Sequence, residues 1–320
     1  MNFTTPVGLP ETNLYITPSS HTLFLGSCFA ERIAQHMLRS ALPVCVNPFG
    51  TLYNPLSIAA ALDAIMRGND AAEWYYQGRE GNWHSRMHST AFSSATSEEC
   101  RAGVIDALQK GNAFLAKTDV LVVTFGTAHV FEYKGRVVAN CHRQPASDFT
   151  TRCLSIDEIV QTWKVTLNRL WSMRPELMVI FTVSPYRYSN YGMHENTLSK
   201  SVLHLAVDEL LRYDHRILYF PAYEIVMDEL RDYRFYAPDM LHVSEQTSDY
   251  IWSRFMEWTF SAETHAYRNK WLAICRDLAH RPLRPESVEY LEFRRKAEKR
   301  KSEFLASLDA DVAKSLVVCK

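Results

Sequence analysis

Short apolar runs recur along this chain and alternate with longer stretches in which apolar residues return every three or four positions. Residues 22–25, 43–46, 120–125, 178–183 and 217–220 have almost no polar face, the pattern of strands covered on both sides in a parallel sheet. Between them, residues 29–40, 55–66, 97–117, 155–173 and 194–213 carry helical periodicity. Their starts are marked. Pro55 occupies a first helical position, Glu98 and Glu99 make an acidic first turn, and Ser155 with Glu158 forms a capping box. A short helix over 224–230, a loop over 232–242 and a helix over 249–258, opened by Ser244 and Ser248, complete the series. Two hairpins interrupt it, one over 74–84 around Gly78-Arg79-Glu80-Gly81, the other pairing 130–133 with 137–140 around Lys134-Gly135.

Five strands alternating with helices specify right-handed crossovers and a parallel sheet with helices on both faces. The expected fold is therefore α/β: a three-layer α/β/α, flavodoxin-like five-stranded sheet of order 2-1-3-4-5, with inserted hairpins. In that order the first strand borders the topological switch point, where ligands bind at the carboxyl ends of strands. Residues 1–21, rich in Pro and Thr, read as an irregular lead-in. Beyond residue 261 the character changes: Trp271, Leu272, Cys275 and Leu278 recur at helical spacing, Pro282 and Pro285 interrupt, and a charged helix runs over 286–313. The chain thus divides into an α/β domain, 1–261, and a helical carboxyl-terminal extension, 262–320.

Composition narrows the function classes. In 320 residues, 47% are apolar and 22% charged, values of an ordinary globular protein with a sizeable core. A net charge of −1, with the basic cluster at 294–301 read as the solvated side of a helix, argues against nucleic acid as partner. The amino terminus shows no basic stretch followed by an apolar run, and no window approaches the roughly 18 apolar residues of a membrane span. Seven cysteines without paired spacing suit reduced thiols and a cytoplasmic location. No glycine-rich phosphate loop or dinucleotide fingerprint follows a strand, so no cofactor is expected. His84, His88, Cys141, His142 and His242 lack a spacing that enforces ligation, so no metal is expected either.

Candidate chemistry centres on Leu23-Phe24-Leu25-Gly26-Ser27-Cys28-Phe29-Ala30, a strand, a tight turn and a helix start. Ser27 has two readings there. It is an N-cap, with Glu31 one turn on, or a nucleophile placed where free N–H groups and the helix dipole favour developing negative charge. A serine nucleophile needs a base held in one tautomer by a third group. Asp239 and His242, three residues apart in a loop after the last strand, are of the right types. Cys28 is a rival nucleophile, but its apolar neighbours make it a packing residue.

The run Gly26-Ser27-Cys28-Phe29-Ala30 resembles the signature of the GSCFA-domain proteins, a bacterial family related to the SGNH (GDSL-like) hydrolases and PC-esterases. Further stretches agree in order: Asn47-Pro48-Phe49-Gly50-Thr51-Leu52-Tyr53-Asn54-Pro55, His88-Ser89, Phe125-Gly126-Thr127-Ala128, Asn140-Cys141-His142, Thr182-Val183-Ser184-Pro185 and Asp239-Met240-Leu241-His242. They cover roughly residues 20–260. The resemblance implies an SGNH hydrolase-type fold and a serine esterase acting through an acyl-serine, with Ser27 as nucleophile, His242 as base and Asp239 as orienting acid. It also implies oxyanion donors at the Ser27 N–H and at Gly50. Where the broader superfamily places asparagine in the third block, this chain has Ala128, and Asn140, with Thr127 as runner-up, is the candidate substitute. His88, His142, Arg187 and Asn54 fall in matching stretches and are candidates for binding substrate. The related families act on O-acyl groups of carbohydrates, so the implied partner is a small-molecule or glycan ester. An O-acyltransferase and a non-catalytic binding protein of the same fold are the alternatives.

Overall fold

The computed structural model describes residues 4–69 and 72–308. At its centre lies a five-stranded, all-parallel sheet made of β1 (Thr22–Gly26), β2 (Val44–Val46), β5 (Val120–Phe125), β9 (Met178–Val183) and β10 (Ile217–Tyr219). Their spatial order is β2-β1-β5-β9-β10, the order expected from the alternation of apolar runs. Successive strand residues serve different cores. Leu23, Leu25, Leu121, Val123 and Phe181 join one cluster with α2 (Pro55–Arg67), α3 (Ser97–Leu115), α4 (Ile156–Met173) and α5 (Met193–Leu211). Phe24, Val120, Val122 and Ile180 face the other side, against α1 (Cys28–Arg39) and α7 (Glu245–Thr259). Period-two geometry sends these alternate side chains to opposite faces, and both faces are covered, which is why the runs are apolar throughout.

Local signals mark the helix ends. Asn54 caps α2 by accepting from the Ser57 N–H at 2.8 Å, with Pro55 behind it, and Gly68 closes the helix in the left-handed region at φ 66°. Ser155 accepts from the Glu158 N–H. Ser244 does the same for Thr247, so α7 begins at Glu245, four residues ahead of the expectation.

Two inserts stand off the sheet. One is the expected hairpin, β3 (Tyr75–Gln77) with β4 (Trp83–Ser85). The second is larger than expected: β6 (His129–Tyr133) pairs with β7 (Arg136–Val138) and also with β8 (Thr150–Cys153), giving a three-stranded antiparallel sheet. All four residues of β8 are exposed, so no alternation betrays it in the sequence. The helix expected over 224–230 is one turn, α6 (Ala222–Glu224), running into a π-helical stretch, Ile225–Glu229. Downstream, α8 (Ala262–Ala279) and α9 (Val288–Ala306) pack on each other through Trp271, Ile274 and Phe304. They hold the carboxyl end of α1, where Tyr267 Oη donates to Ala41 O at 2.6 Å. The last residues of the charged helix expected over 286–313 and the first three of the lead-in lie outside the described residues. Among the described residues no helix is long and apolar enough to cross a membrane.

Candidate active site

A cavity of about 320 Å³ opens at the carboxyl ends of β1, β5 and β9, beside the switch point between β1 and β5. Ser27 and Cys28 line it after β1, Gly126 and Thr127 after β5, and Ser184, Tyr186, Tyr188 and Tyr191 after β9. Tyr53 and Asn54 enter from the loop before α2. His129, Val130, Phe131, Ala139 and Asn140 come from the added antiparallel sheet, and His242 from the loop before α7.

The turn that delivers Ser27 is built around Gly26. Its φ of +138° lies outside the range of ordinary residues, and a Cβ there would stand 2.2 Å from Thr124 O. Gly26 N–H donates to Asn47 Oδ1 at 2.8 Å, and Gly26 O accepts from the Leu52 N–H at 2.9 Å, so the turn is tied to the loop after β2. Ser27 occupies the N-cap position of α1 with extended backbone, but its side chain makes no capping hydrogen bond. Its hydroxyl is buried and has no partner among the described residues. The cap reading thus keeps the backbone position but has no side-chain hydrogen bond behind it.

Asp239 and His242 meet as expected. His242 Nδ1 lies 2.5 Å from Asp239 Oδ2, while Asp239 Oδ1 accepts from the backbone N–H groups of Leu241 and His242, both at 2.9 Å. The turn that allows this carries Met240 at φ 58°. These hydrogen bonds hold the Asp239 carboxyl well below the usual carboxylate range, His242 foremost. The Tyr186 ring packs on the imidazole at 4.3 Å between centroids. Ser27 Oγ and His242 share the cavity without a hydrogen bond between them.

The other expected residues divide. Asn140 lines the cavity with its Oδ1 taken by the His142 N–H at 2.8 Å. Thr127 lines it too, but its hydroxyl accepts from the His129 N–H and pairs with Ser199 Oγ at 3.1 Å. The Ser27 N–H makes a long bond of 3.4 Å to Thr124 O. Gly50 stands outside the lining; its N–H donates to Asn47 O at 2.7 Å, and the missing Cβ makes room for Ser89, whose Oγ would lie 2.0 Å from it. Glycine is required here both for that room and for a left-handed φ of +73°. His88 is wholly buried away from the cavity, bonded to Ser85 Oγ at 2.7 Å and stacked on Phe49. His142 bonds Ser85 O at 2.8 Å and stacks on His84. Arg187 turns to the far side of its loop, toward Met227, while its N–H holds Leu241 O at 3.2 Å behind the Asp239 turn. Burial raises the Cys28 thiol above its ordinary value, which opposes a thiolate nucleophile. Among the described residues no group of three or more His, Cys, Asp or Glu side chains is placed to hold a metal ion.

Sequence reasoning missed the tyrosine wall and the floor beneath it. Lys200, 2% exposed, reaches from α5 to donate to Gly126 O and Ser184 O, both at 2.6 Å, and so joins the exits of β5 and β9. Burial pulls its ammonium down to about 7. Ser199 beside it accepts from the Ala128 N–H at 2.8 Å. The signal was present: Asn196, Ser199 and Lys200 interrupt the buried stripe of α5 that continues through Leu203, Ala206 and Leu210.

A buried serine, an aspartate–histidine pair and a tyrosine-rich cavity thus meet at the switch point of a parallel α/β sheet. The model of the GSCFA family matches residues 21–255, from the start of β1 into α7, and the chain belongs to that family. Comparison with curated proteins returns no match.

Proposed function

We propose that the protein is a serine acyl hydrolase of the SGNH type, cleaving a carboxylic ester through an acyl-serine intermediate. The observation that carries this reading is the Ser27 hydroxyl, buried and unpartnered, on one cavity with an imidazole whose Nδ1 is held by Asp239. Ser27 Oγ attacks the acyl carbonyl while His242 Nε2 takes its proton. The tetrahedral intermediate collapses, the alcohol leaves with that proton, and water repeats the sequence to free the acid. Asp239 fixes the tautomer and stabilises the imidazolium. The imidazole closes on Ser27 as substrate enters, in keeping with catalytic hydrogen bonds that tighten only in the complex.

The lining holds four tyrosines and no Lys, Arg, Asp or Glu among the described residues. Rings with hydroxyls at their edge suit a neutral, oxygen-rich ligand, so a short O-acyl group on a carbohydrate is the proposed substrate class. A sugar hydroxyl in place of water would make the same site an O-acyltransferase. A cytoplasmic setting belongs to the proposal and rests on the scattered cysteines.

The test is hydrolysis of a short-chain chromogenic ester by the wild type, Ser27→Ala and His242→Ala, each with its folding verified. Loss of either residue lowers the rate on the order of 10⁴-fold. Equal turnover in all three proteins would sink the relay, and rates no higher than the uncatalysed background in all three would favour a non-catalytic binding protein of this fold.

A further inference from the structure

The proposed reaction needs hydrogen-bond donors aimed at the developing oxyanion, and the donors expected from the sequence are largely spent. Gly50 N–H serves a turn outside the cavity, Thr127 Oγ1 is engaged by Ser199 and His129, and the Ser27 N–H leans toward Thr124 O. Two lining residues keep a free donor end. In Asn54 and in Asn140 alike, Oδ1 accepts a backbone N–H of the residue's own turn at 2.8 Å, from Ser57 and His142 respectively. A backbone N–H fixes which end of each amide is oxygen, and the amide is planar, so the free Nδ2 of each is also fixed in direction.

The two differ in how firmly they are built in. Asn140 lies half-buried at the end of a strand pair in the added sheet. Asn54 is 4% exposed and starts a helix whose leading loop is stitched to both strands that carry the site. Leu52 N–H donates to Gly26 O at 2.9 Å, and Tyr53 O accepts from Gly126 N–H at 2.8 Å and Thr127 N–H at 3.0 Å. Asn54 is thereby indexed to the residue before Ser27 and to the exit of β5. Donors act in catalysis to the extent that they are held before the charge appears.

We propose that the Asn54 side-chain amide is the oxyanion donor of this site, taking the place of the asparagine that the third sequence block lacks. N-capping and donation use opposite ends of one amide: Oδ1 orients the group, and Nδ2 works. This inference rests on the acyl-serine reading above.

The two roles separate by substitution. Asn54→Asp and Asn54→Ser both retain a capping oxygen and both lose the amide donor. The expected result is an unfolding temperature close to wild type, KM for the chromogenic ester little changed, and kcat lower by about 10²- to 10³-fold. A merely structural role would instead lower the unfolding temperature and leave the kcat of the folded fraction intact, which overturns the inference. So does an Asn140→Ser protein that loses kcat while both Asn54 variants keep it. Ser27→Ala separates the two levels. If it is inactive beside fully active Asn54 variants, the inference fails and the reaction stands; if it retains the wild-type rate, the reaction itself fails.

Discussion

Gly26 shows how closely one backbone position constrains the candidate nucleophile. Any side chain there meets Thr124 O of the neighbouring strand at 2.2 Å, on a φ of +138° that other residues rarely adopt. The atoms it meets all belong to the Thr124 backbone, which cannot swing aside. Gly26→Ala is expected to cost about 3 kcal/mol, combining backbone strain with a core clash. A denaturant titration checks this, and an unchanged midpoint would mean that the turn has an alternative conformation. Gly50 presents a milder case because the atom its Cβ would meet is a serine hydroxyl. Asp239 illustrates the reach of local hydrogen bonds at the same scale. Three donors keep its carboxylate ionised far into acid, so protonation of Asp239 does not limit the proposed reaction at mildly acidic pH.

At the scale of elements, the turn after β4 buries His88 and the loop after β7 buries His142, neither ring bonded to a carboxylate. Burial lowers His88 to about 3 and His142 to about 4. The unfolded chain binds their protons near 6.5, so the stabilisation is complete above that pH and is lost as pH falls toward 4 and then 3. Each group contributes up to about 1.4 kcal/mol per pH unit across its window. Denaturant midpoints measured between about pH 6.5 and 4 should drop steeply for the wild type and less steeply for His88→Gln. Equal slopes would assign the acid sensitivity elsewhere. What the sequence revealed also sorts by element. β1, β5 and β9 were legible because double-sided burial removes every polar position, and α2 and α4 because Pro55 and Ser155 mark their starts. β8 was not legible, since four exposed residues carry no periodicity. Ser27, Asp239 and His242 could be picked out by residue type and order. The tyrosines could not, because their role depends on which strand ends become neighbours, and Lys200 showed only as a polar break in the buried stripe of α5.

For the whole molecule, the carboxyl-terminal helices sit well away from the cavity. They grip Ser40 and Ala41, at the far end of α1 from Ser27. A 12-residue helix puts roughly 18 Å between those ends. The pair therefore braces the fold and does not cover the cavity. Removing residues 262–320 exposes Ala41 and breaks the Thr264 bond to Ile16 O. The expected outcome is a lower unfolding temperature with ester turnover per folded molecule unchanged. A truncated protein that folds normally but has altered KM would show that the helices reach the site after all.

The cavity has walls of two different origins. Ser27, Gly126 and Ser184 sit on the ends of the parallel sheet, fixed by neighbouring strands and by Lys200 beneath them. The facing wall, Val130, Phe131 and Ala139, belongs to a separate small sheet of three short strands. Under the proposed function, bond-breaking falls to the first wall and substrate choice to the second, whose Val130 and Ala139 pack into the same hydrophobic core as Leu25, Val123 and Phe125. Phe131 lines the cavity outside that core, so it is the position of this wall where variation can change the accepted ester while the strands that carry Ser27 and Gly126 keep their packing.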